Sequence, residues 1–332
     1  MQVSPVPFVA DPELDCPMRR SEASSSLHDR IPFLHSEVPQ DQTPPSRAAG
    51  TPLDLAPGHP DPWDRFWSSR AHAGDFYPQH ERIERALRDL GPWRDSRAVE
   101  IGCGAGGAGE FLLELGTKPI LVDFSGASLR KCRQRFPAGK GITLVRADVF
   151  HLPFKDGVLD VLFHQGLLEH FRGDQPRALL QENLRALRPG GWLLVDLPQA
   201  FHWESFFARP LIWMGKWFAG WQTYYTLPGL KHVARSLELE DLRYFGSWMN
   251  PSFFYRALRW ALKSWILLPL APHVCDSVAR LRQRIRSRFF YHPIVLWTGA
   301  SIGFAGRKPA VSKQGVPHGA RNHPGSLCST TR

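Results

Sequence analysis

The feature that most constrains the fold is a regular alternation of short apolar runs with helix-forming segments between residues 98 and 197. Strands are predicted at 98–102, 119–123, 142–146, 158–163 and 192–197. Helices are predicted at 77–90, 107–115, 126–136 and 176–187, the third with Ser125 as its N-cap. Strands that alternate with helices indicate βαβ units, a parallel sheet and right-handed crossovers.

A glycine-rich segment, Glu-Ile-Gly-Cys-Gly-Ala-Gly-Gly, falls where the first of these strands turns into a helix. Gly102, Gly104 and Gly106 allow a ligand to approach the backbone, and the free amides of the following helix face it. The segment also has the G-x-G-x-x-G spacing of dinucleotide sites, through Gly102, Gly104 and Gly107. Glu100 helps to separate the two alternatives, since its carboxylate would repel a pyrophosphate and attract an ammonium or sulfonium group.

Polar residues also follow the next three strands, at the edge where open α/β sheets bind ligands. Asp123 ends the second strand, where a carboxylate can accept hydrogen bonds from both hydroxyls of a ribose. Asp148 follows the third strand and can accept the amino group of an adenine. The segment Phe163-His-Gln-Gly-Leu-Leu-Glu-His170 closes the fourth strand. Their joint placement at successive strand ends favours a ligand site over ordinary loop residues.

With these motifs, residues 78–200 resemble the class I S-adenosylmethionine-dependent methyltransferases, in particular the type 11 family related to the ubiquinone and menaquinone enzymes. The matching pieces are Glu100-Ile-Gly-Cys-Gly-Ala-Gly106, Leu121-Val-Asp-Phe-Ser125, Ala147-Asp-Val149, Leu152-Pro-Phe-Lys-Asp-Gly-Val-Leu-Asp-Val161, Gly166-Leu-Leu-Glu-His170 and Leu187-Arg-Pro-Gly-Gly191. Residues 301–308 look like the last strand of that family. The resemblance implies an α/β, Rossmann-like sheet of seven strands, mostly parallel with the last strand antiparallel, and with helices on both faces.

The resemblance further implies that S-adenosylmethionine is the cofactor and lies across the strand ends. The residues it assigns to cofactor binding are Glu100, Gly102, Cys103, Gly104, Gly106, Asp123, Phe124, Asp148, Val149 and Gln165. Glu100 and the glycine segment would hold the methionyl end, Asp123 the ribose and Asp148 the adenine. Gln165 would lie beside the methionyl moiety.

Methyl transfer from a sulfonium is an in-line displacement, which depends on positioning, on desolvation, and on a base where the acceptor must lose a proton. His170 is the first candidate for that base because an imidazole titrates near neutrality. His164 is the second candidate, and Glu169 can orient either ring. No metal site is predicted, since the sequence has no His-Glu-x-x-His or similar spacing.

After residue 198 the composition changes, and nine of the 12 tryptophans lie between residues 192 and 297. Trp213, Trp217 and Trp221 recur at i, i+4 and i+8, which predicts one helical face after Pro210. This face is either the buried seam of a helical, tryptophan-rich cap or a wall for an apolar, prenyl-like acceptor.

The chain is basic, with 41 Lys and Arg against 31 Asp and Glu, and the excess is concentrated near its C-terminal end. Residues 251–310 carry ten Lys or Arg against the single acid Asp276, a net charge of +9. We predict a helix with Asp276 as its N-cap. Its apolar stripe is Val278, Leu281, Ile285 and Phe289, and its basic residues are Arg280, Arg282, Arg284, Arg286 and Arg288. Such a helix lies on an anionic membrane or binds a phosphate-bearing substrate, or it is a solvated face without a partner.

Five segments are predicted along the chain. They are a disordered Pro/Ser-rich tail (1–62), the cofactor-binding core (63–200), a cap and substrate region (201–298), the last core strand (299–308) and a second disordered tail (309–332). No membrane span, signal peptide or disulfide framework is apparent, which favours a cytoplasmic protein, with peripheral contact to an anionic membrane left open.

The sequence therefore predicts an S-adenosylmethionine-dependent methyltransferase acting on a small or lipid-linked acceptor. The basic segment also permits an RNA acceptor, although Asp196-Leu-Pro-Gln199 is only a faint echo of the Pro-Pro-Tyr type site of nucleic-acid amino methyltransferases. A third alternative is a catalytically silent S-adenosylmethionine-binding module at a membrane. The sequence carries no prediction of oligomeric state.

Overall fold

The structure is a computed structural model that describes residues 60–68 and 80–310, apart from residues 218, 263–264, 267, 270–271 and 273. Residues 1–59 and 311–332, which make up nearly all of the two predicted tails, lie outside the described residues. The first helix begins at Pro60 and so crosses the boundary that the sequence analysis placed at residue 62.

The described residues form ten α-helices and seven strands. The strands are β1 (Arg97–Ile101), β2 (Lys118–Asp123), β3 (Thr143–Arg146), β4 (Leu159–Gln165), β5 (Leu187–Pro198), β6 (Glu240–Ser247) and β7 (Ser301–Arg307). The helices are α1 (Pro60–Ser68), α2 (Glu81–Leu90), α3 (Gly109–Glu114), α4 (Gly126–Arg135), α5 (Gln175–Ala186), α6 (Trp203–Trp213), α7 (Leu227–Ser236), α8 (Phe253–Leu262), α9 (Asp276–Phe289) and α10 (Pro293–Thr298). A short 3-10 turn, Leu168–His170, follows β4.

The seven strands make one sheet in the order β3-β2-β1-β4-β5-β7-β6. β1 to β5 pair in parallel, whereas β7 runs antiparallel to both of its neighbours, β5 and β6. The predicted architecture is therefore confirmed. Because Ile101 of β1 is level with Val122 of β2, the turns after these strands emerge side by side at one edge of the sheet.

The central strands are apolar on both faces because helices cover both faces. Val99 and Leu162 pack into a core on the side of α5 and α7. Val161 and Phe163 point to the opposite side, where they pack with residues of α2, α3 and α4. This double burial explains why these strands read as short continuous apolar runs instead of alternating patterns.

The predicted core elements are all present, with shifted ends. The N-cap of α4 is confirmed, since the Ser125 hydroxyl accepts a hydrogen bond from the Ser128 N–H at 3.1 Å. The main shift is in β5, which begins five residues before the prediction, at Leu187. The added residues, 187–191, are extended like the rest of the strand. Among them, the Gly190 N–H donates a hydrogen bond to the carbonyl of Lys308, just after the end of β7.

The prediction that Trp213, Trp217 and Trp221 share one helical face after Pro210 is wrong. Pro210 lies inside α6, which ends at Trp213 and is followed by Gly215 at a φ of +66°. A left-handed glycine ends a helix, so Trp217 and Trp221 lie in the irregular segment beyond it. The three rings therefore share no helical face, neither as a seam nor as a wall.

The region predicted as a cap, residues 201–298, also contains part of the core. β6 lies within it and pairs with β7 as an edge strand of the sheet. Helical additions sit on both sides of β6, with α6 and α7 before it and α8, α9 and α10 after it. β6 was not predicted from the sequence because a half-exposed edge strand has only a weak apolar pattern.

The predicted basic helix forms as α9, with one correction at its start. The N-cap residue is Cys275, and Asp276 lies in the first turn, where its charge still complements the helix dipole.

Candidate functional site

The glycine loop, residues 102–107, connects β1 to α3 and begins the candidate site. Gly102, Gly104 and Gly106 have φ angles of +69°, +53° and +72°, a backbone region that L-residues rarely adopt. A Cβ atom on Gly104 would lie 2.6 Å from Cζ2 of Trp67. Glycine at position 104 is therefore required both by its backbone conformation and by the ring that lies against it.

Helix α1 lies over this loop, in an arrangement that the sequence analysis did not predict. Its Trp67 ring contacts Gly104, and its Asp64 carboxylate accepts hydrogen bonds from the Ser125 hydroxyl at 2.6 Å and the Ala127 N–H at 2.9 Å. Burial alone would raise the pKa of Asp64, but these two hydrogen bonds together with the charges of Arg146 and Arg130 outweigh it, and the pKa lies below its usual value. Helix α1 is thus fixed to the start of α4 while it covers the loop.

A sequence signal for α1 does exist. Trp63, Phe66 and Trp67 recur at i, i+3 and i+4, and the Phe66 side chain is buried. The Trp63 ring also reaches His170, with ring centroids 5.2 Å apart in a T-shaped arrangement. Helix α1 therefore links the glycine loop to the end of the β4 motif.

Asp123 ends β2 beside the glycine loop and is 7% exposed. Its Oδ2 accepts a hydrogen bond from the Gly104 N–H at 2.8 Å, and its Oδ1 accepts one from the Ser125 N–H at 2.8 Å. Burial raises the pKa of this carboxyl against the effect of those amides. Each carboxylate oxygen has a second lone pair, which remains for the hydroxyls of a ribose.

Glu100, the penultimate residue of β1, is 6% exposed. Burial, followed by the proximity of Cys132 and Asp123, raises the pKa of Glu100 well above its usual value. Its Oε2 atom has no hydrogen-bond partner among the described residues. A cationic group placed near this oxygen would favour the ionised carboxylate, because the opposite charge offsets the cost of burial.

Cys103 and Phe124 flank these positions. The Cys103 N–H donates to the Val122 carbonyl at 3.0 Å, and its thiol lies 4.0 Å from that of Cys132. The half-buried Phe124 follows Asp123, and its carbonyl accepts a hydrogen bond from Arg146 at 3.1 Å. Both residues therefore lie along the edge where the sequence analysis placed them.

The other predicted cofactor residues lie further along the same edge. Asp148 accepts a hydrogen bond from the Phe150 N–H at 3.0 Å, and Val149 beside it is buried. Gln165 ends β4, and its side-chain amide donates to Oδ2 of Asp196 at 3.3 Å.

The two candidate base histidines have different surroundings. In His170, Nδ1 lies 3.1 Å from the Trp221 carbonyl and must donate to it, which leaves Nε2 as a proton acceptor. Burial lowers the pKa of His170, so the ring is neutral near pH 7. His164 is fully buried in β4, burial lowers its pKa to about 3, and neither ring nitrogen has a partner among the described residues.

A cluster of buried carboxyl groups at the ends of β4 and β5 was not predicted as a set. Asp196 forms a buried ion pair with Arg82 of α2, with Oδ2 2.6 Å from Nη2 and 2.9 Å from Nε. Its Oδ1 has no partner among the described residues, and the same holds for Oε2 of Glu169. Burial raises the pKa of Glu169 to about 8, with a further contribution from the Asp196 charge.

We define the carboxyl cluster as Glu169 and Asp196; Glu204 of α6 lies within the influence of the same Arg82 charge that acts on Glu169. Burial raises the pKa of Glu204, whereas the charges of Arg256 and Arg82 lower it. Burial, followed by the proximity of Glu204 and Glu169, raises the pKa of the Tyr224 hydroxyl. The cluster therefore lies directly beside the His170 segment.

The strand order, the reversed seventh strand and a glycine loop joined to a strand-terminal aspartate define the class I methyltransferase fold. Residues 99–195 match the family model described as a methyltransferase domain. Residues 99–195 of this chain are therefore similar in sequence to a type 11 methyltransferase domain.

Proteins that are similar to this chain in sequence are named as methyltransferases. An uncharacterized chloroplastic methyltransferase of Arabidopsis thaliana is 30% identical over 137 residues, which cover 39% of this chain and 38% of the relative. A demethylmenaquinone methyltransferase of Clavibacter sepedonicus is 30% identical over 108 residues, 32% of this chain and 43% of the relative. The chain thus matches less than half the length of either relative.

Among solved structures, a phosphoethanolamine N-methyltransferase 2 of Haemonchus contortus in complex with S-adenosyl-L-methionine is 19% identical. The match covers 74% of this chain and 56% of that chain, with a TM-score of 0.48.

Proposed function

We propose that this protein transfers a methyl group from S-adenosylmethionine to a small or lipid-linked acceptor. The observation that carries the proposal is the pairing of Asp123 with the Gly104 N–H, because it holds a ribose-type carboxylate against a glycine loop that a backbone-contacting ligand can approach. The name of the demethylmenaquinone methyltransferase supports the acceptor class.

The residues of this edge fit that cofactor. Asp123 would accept hydrogen bonds from the ribose hydroxyls. Oε2 of Glu100, which has no partner within the part of the chain that the structure describes, is suited to the positive charge of the methionyl end. Asp148 and Val149 would hold the adenine, and α1 would exclude water from the loop it covers. When bound, S-adenosylmethionine supplies an electrophilic methyl group on its sulfonium.

The carboxyl cluster is suited to holding the acceptor. Two buried oxygens, Oδ1 of Asp196 and Oε2 of Glu169, have no hydrogen-bond partner among the described residues, which is costly unless a ligand supplies hydrogen bonds. Arg82 fixes the orientation of Asp196. We assign these groups to orienting a hydroxyl or amino group of the acceptor.

His170 is the base in this proposal. Its bond to the Trp221 carbonyl sets the tautomer, and its neutral Nε2 can accept the proton that the acceptor loses. His164 is not carried further, since a ring enclosed within the sheet has no path to a substrate.

The cofactor assignment predicts a selective thermal shift. S-adenosylhomocysteine should raise the melting temperature, because a ligand at a hundredfold excess over its Kd stabilises the native state by about 2.7 kcal/mol. NADH should not, since the Gly104 N–H of the loop already donates to Asp123 and is not free to bind a pyrophosphate. Differential scanning fluorimetry measures both, and a shift with NADH alone would contradict the methyltransferase proposal.

The base assignment predicts a catalytic defect without a binding defect. A His170→Gln variant keeps a side-chain N–H for the Trp221 carbonyl but loses the basic nitrogen, so methyl transfer should fall at least tenfold. The measurement is incorporation of tritium from methyl-labelled S-adenosylmethionine into a total lipid extract. The thermal shift with S-adenosylhomocysteine is the binding control. Unchanged incorporation would remove His170 as the base.

An RNA acceptor is the second candidate, favoured by the net charge of +9 in residues 251–310. The same labelling experiment with total RNA in place of lipid separates the two acceptors. Binding of S-adenosylhomocysteine without labelling of either fraction would instead indicate the silent binding module.

A further inference from the structure

The helices added around β6 expose an unusual number of large apolar side chains. One group comes from α6 and α8, and we define it as the aromatic patch: Trp203, Phe206, Phe207, Phe253 and Phe254. Trp203 is 59% exposed and Phe254 is 66% exposed. Scattered apolar side chains are normal on a surface, but contiguous ones mark an interaction site.

The patch is contiguous because its rings contact one another. Trp203 lies 6.3 Å from Phe206 and 6.4 Å from Phe254, measured between ring centroids. Phe207 stacks on Phe253 at 5.2 Å. The two helices therefore already share an aromatic surface, and much of that surface still faces water.

The exposure does not arise from a poorly anchored helix. Ser205 and Ala208 on the other side of α6 are buried, and the Ser205 hydroxyl donates to the carbonyl of Ala200 at 2.6 Å. In α8, Arg259 donates to the Leu268 carbonyl at 3.0 Å. The aromatic patch is thus the outward side of an anchored α6 and of α8, which packs on α6 through the Phe207–Phe253 stack.

Helix α9 has the same property and adds charge. The first three residues of its apolar stripe do not pack into the protein, since Leu281 is 56% exposed, Ile285 43% and Val278 38%, and no residue of the helix is buried. Arg282 and Arg284 are exposed on the same helix. An amphipathic helix with both faces in water has the form of a helix that lies in a membrane interface.

α9 is nevertheless attached to the fold at its C-terminal end. Arg286 pairs with Glu81 at 3.2 Å, and the Phe289 ring lies 5.7 Å from Trp248. No helix among the described residues is long and apolar enough to cross a bilayer.

We propose that the aromatic patch and α9 form a docking surface for an anionic lipid bilayer. The surrounding segment, residues 251–310, has a net charge of +9, which complements anionic lipid and would repel a second copy of this chain. Aliphatic side chains such as Leu281 and Ile285 have no ring on which a nucleic-acid base could stack, so they fit acyl chains better than RNA. Docking needs no cofactor, and the inference stands apart from the proposed methyl transfer.

The test is cosedimentation of the full chain with vesicles of phosphatidylcholine, with and without phosphatidylglycerol, at low and high salt. We expect binding to the anionic vesicles that weakens as salt rises, and little binding to phosphatidylcholine alone. Replacing Arg282, Arg284 and Arg288 with Gln should weaken partitioning about a hundredfold, at roughly fivefold per arginine. Arg286 is left in place because it pairs with Glu81.

A matched control removes three positive charges from exposed positions elsewhere, through Arg133→Gln, Lys140→Gln and Lys155→Gln. This control should bind within a few-fold of the unaltered chain. A second variant, Phe206→Ser with Phe254→Ser, should bind about tenfold more weakly, whereas leucine at both positions should retain binding. The exposure of both rings predicts an unchanged melting temperature for the serine variant.

Three outcomes would overturn the proposal. They are equal sedimentation with neutral and anionic vesicles, absence of binding to both, and a dimer in sedimentation velocity that the Phe206→Ser, Phe254→Ser variant abolishes. Binding to polyuridylate without binding to vesicles would assign the surface to RNA instead. The S-adenosylhomocysteine thermal shift, measured on the same samples, reports separately on the methyltransferase proposal.

Discussion

An Asp123→Ala variant should bind S-adenosylhomocysteine roughly a thousandfold more weakly than the unaltered chain. Two hydrogen bonds from ribose hydroxyls to a carboxylate contribute about 1.5–3 kcal/mol each, and the alanine removes both acceptors. The substitution also releases the N–H groups of Gly104 and Ser125, which Asp123 holds at 2.8 Å. The melting temperature should therefore fall as well. Isothermal titration calorimetry measures the affinity.

The control for this loss of stability is Asp160→Ala. Asp160, near the start of β4 at the opposite edge of the sheet, accepts hydrogen bonds from the Arg97 N–H at 2.9 Å and from Arg188 at 2.6 Å. Its removal should destabilise the fold without changing the affinity for S-adenosylhomocysteine. Equal affinities for the Asp123→Ala variant and the unaltered chain would contradict the ribose assignment.

A Glu169→Gln variant should be more stable than the unaltered chain above pH 8, and this advantage should vanish below pH 4.5. The folded protein keeps the Glu169 proton up to a pKa of about 8, whereas the unfolded chain releases it near the ordinary value of 4.5. Between these values the native state binds more protons than the unfolded state, so the free energy of unfolding falls as pH rises. At 1.36 kcal/mol per pKa unit the difference reaches up to about 5 kcal/mol.

The measurement is urea unfolding of both proteins across that pH range, compared as a difference because Glu100 and Asp123 contribute slopes of the same sign. Glu110→Gln serves as a control. Its side chain is largely exposed, and a hydrogen bond to Arg135 lowers the pKa of Glu110, so its effect lies at acidic pH and not between pH 6 and 9. Parallel curves for Glu169→Gln and the unaltered chain would show that the carboxyl group is ionised at neutral pH.

The state of Glu169 also bears on the carboxyl cluster. With a pKa of about 8, this side chain carries a proton near neutrality and can donate a hydrogen bond as well as accept one. Asp196, held by Arg82, supplies acceptor oxygens in the same cluster. A hydroxyl or amino group of an acceptor would meet one donor and one acceptor there.

The candidate cofactor edge could be predicted because its residues are local in sequence. Gly104 lies in the loop just after β1 and Asp123 is the last residue of β2, and parallel strands bring such ends together at one edge. The distance between them, 2.8 Å from amide to carboxylate, is the direct consequence of that topology. The prediction of a tryptophan face was wrong because the spacing of the tryptophans does not show where the helix ends, and α6 ends just before Gly215.

By itself, the sequence determined the parallel sheet, the glycine loop and the identity of the residues at its edge, because apolar periodicity and turn chemistry act between near neighbours. Tertiary structure decided the rest. It joined Arg82 to Asp196 across 114 residues, laid Trp67 on Gly104, and left most of the apolar stripe of α9 in water. These features depend on which surfaces of distant elements meet, and a periodic pattern states only that a face is apolar, not what covers it.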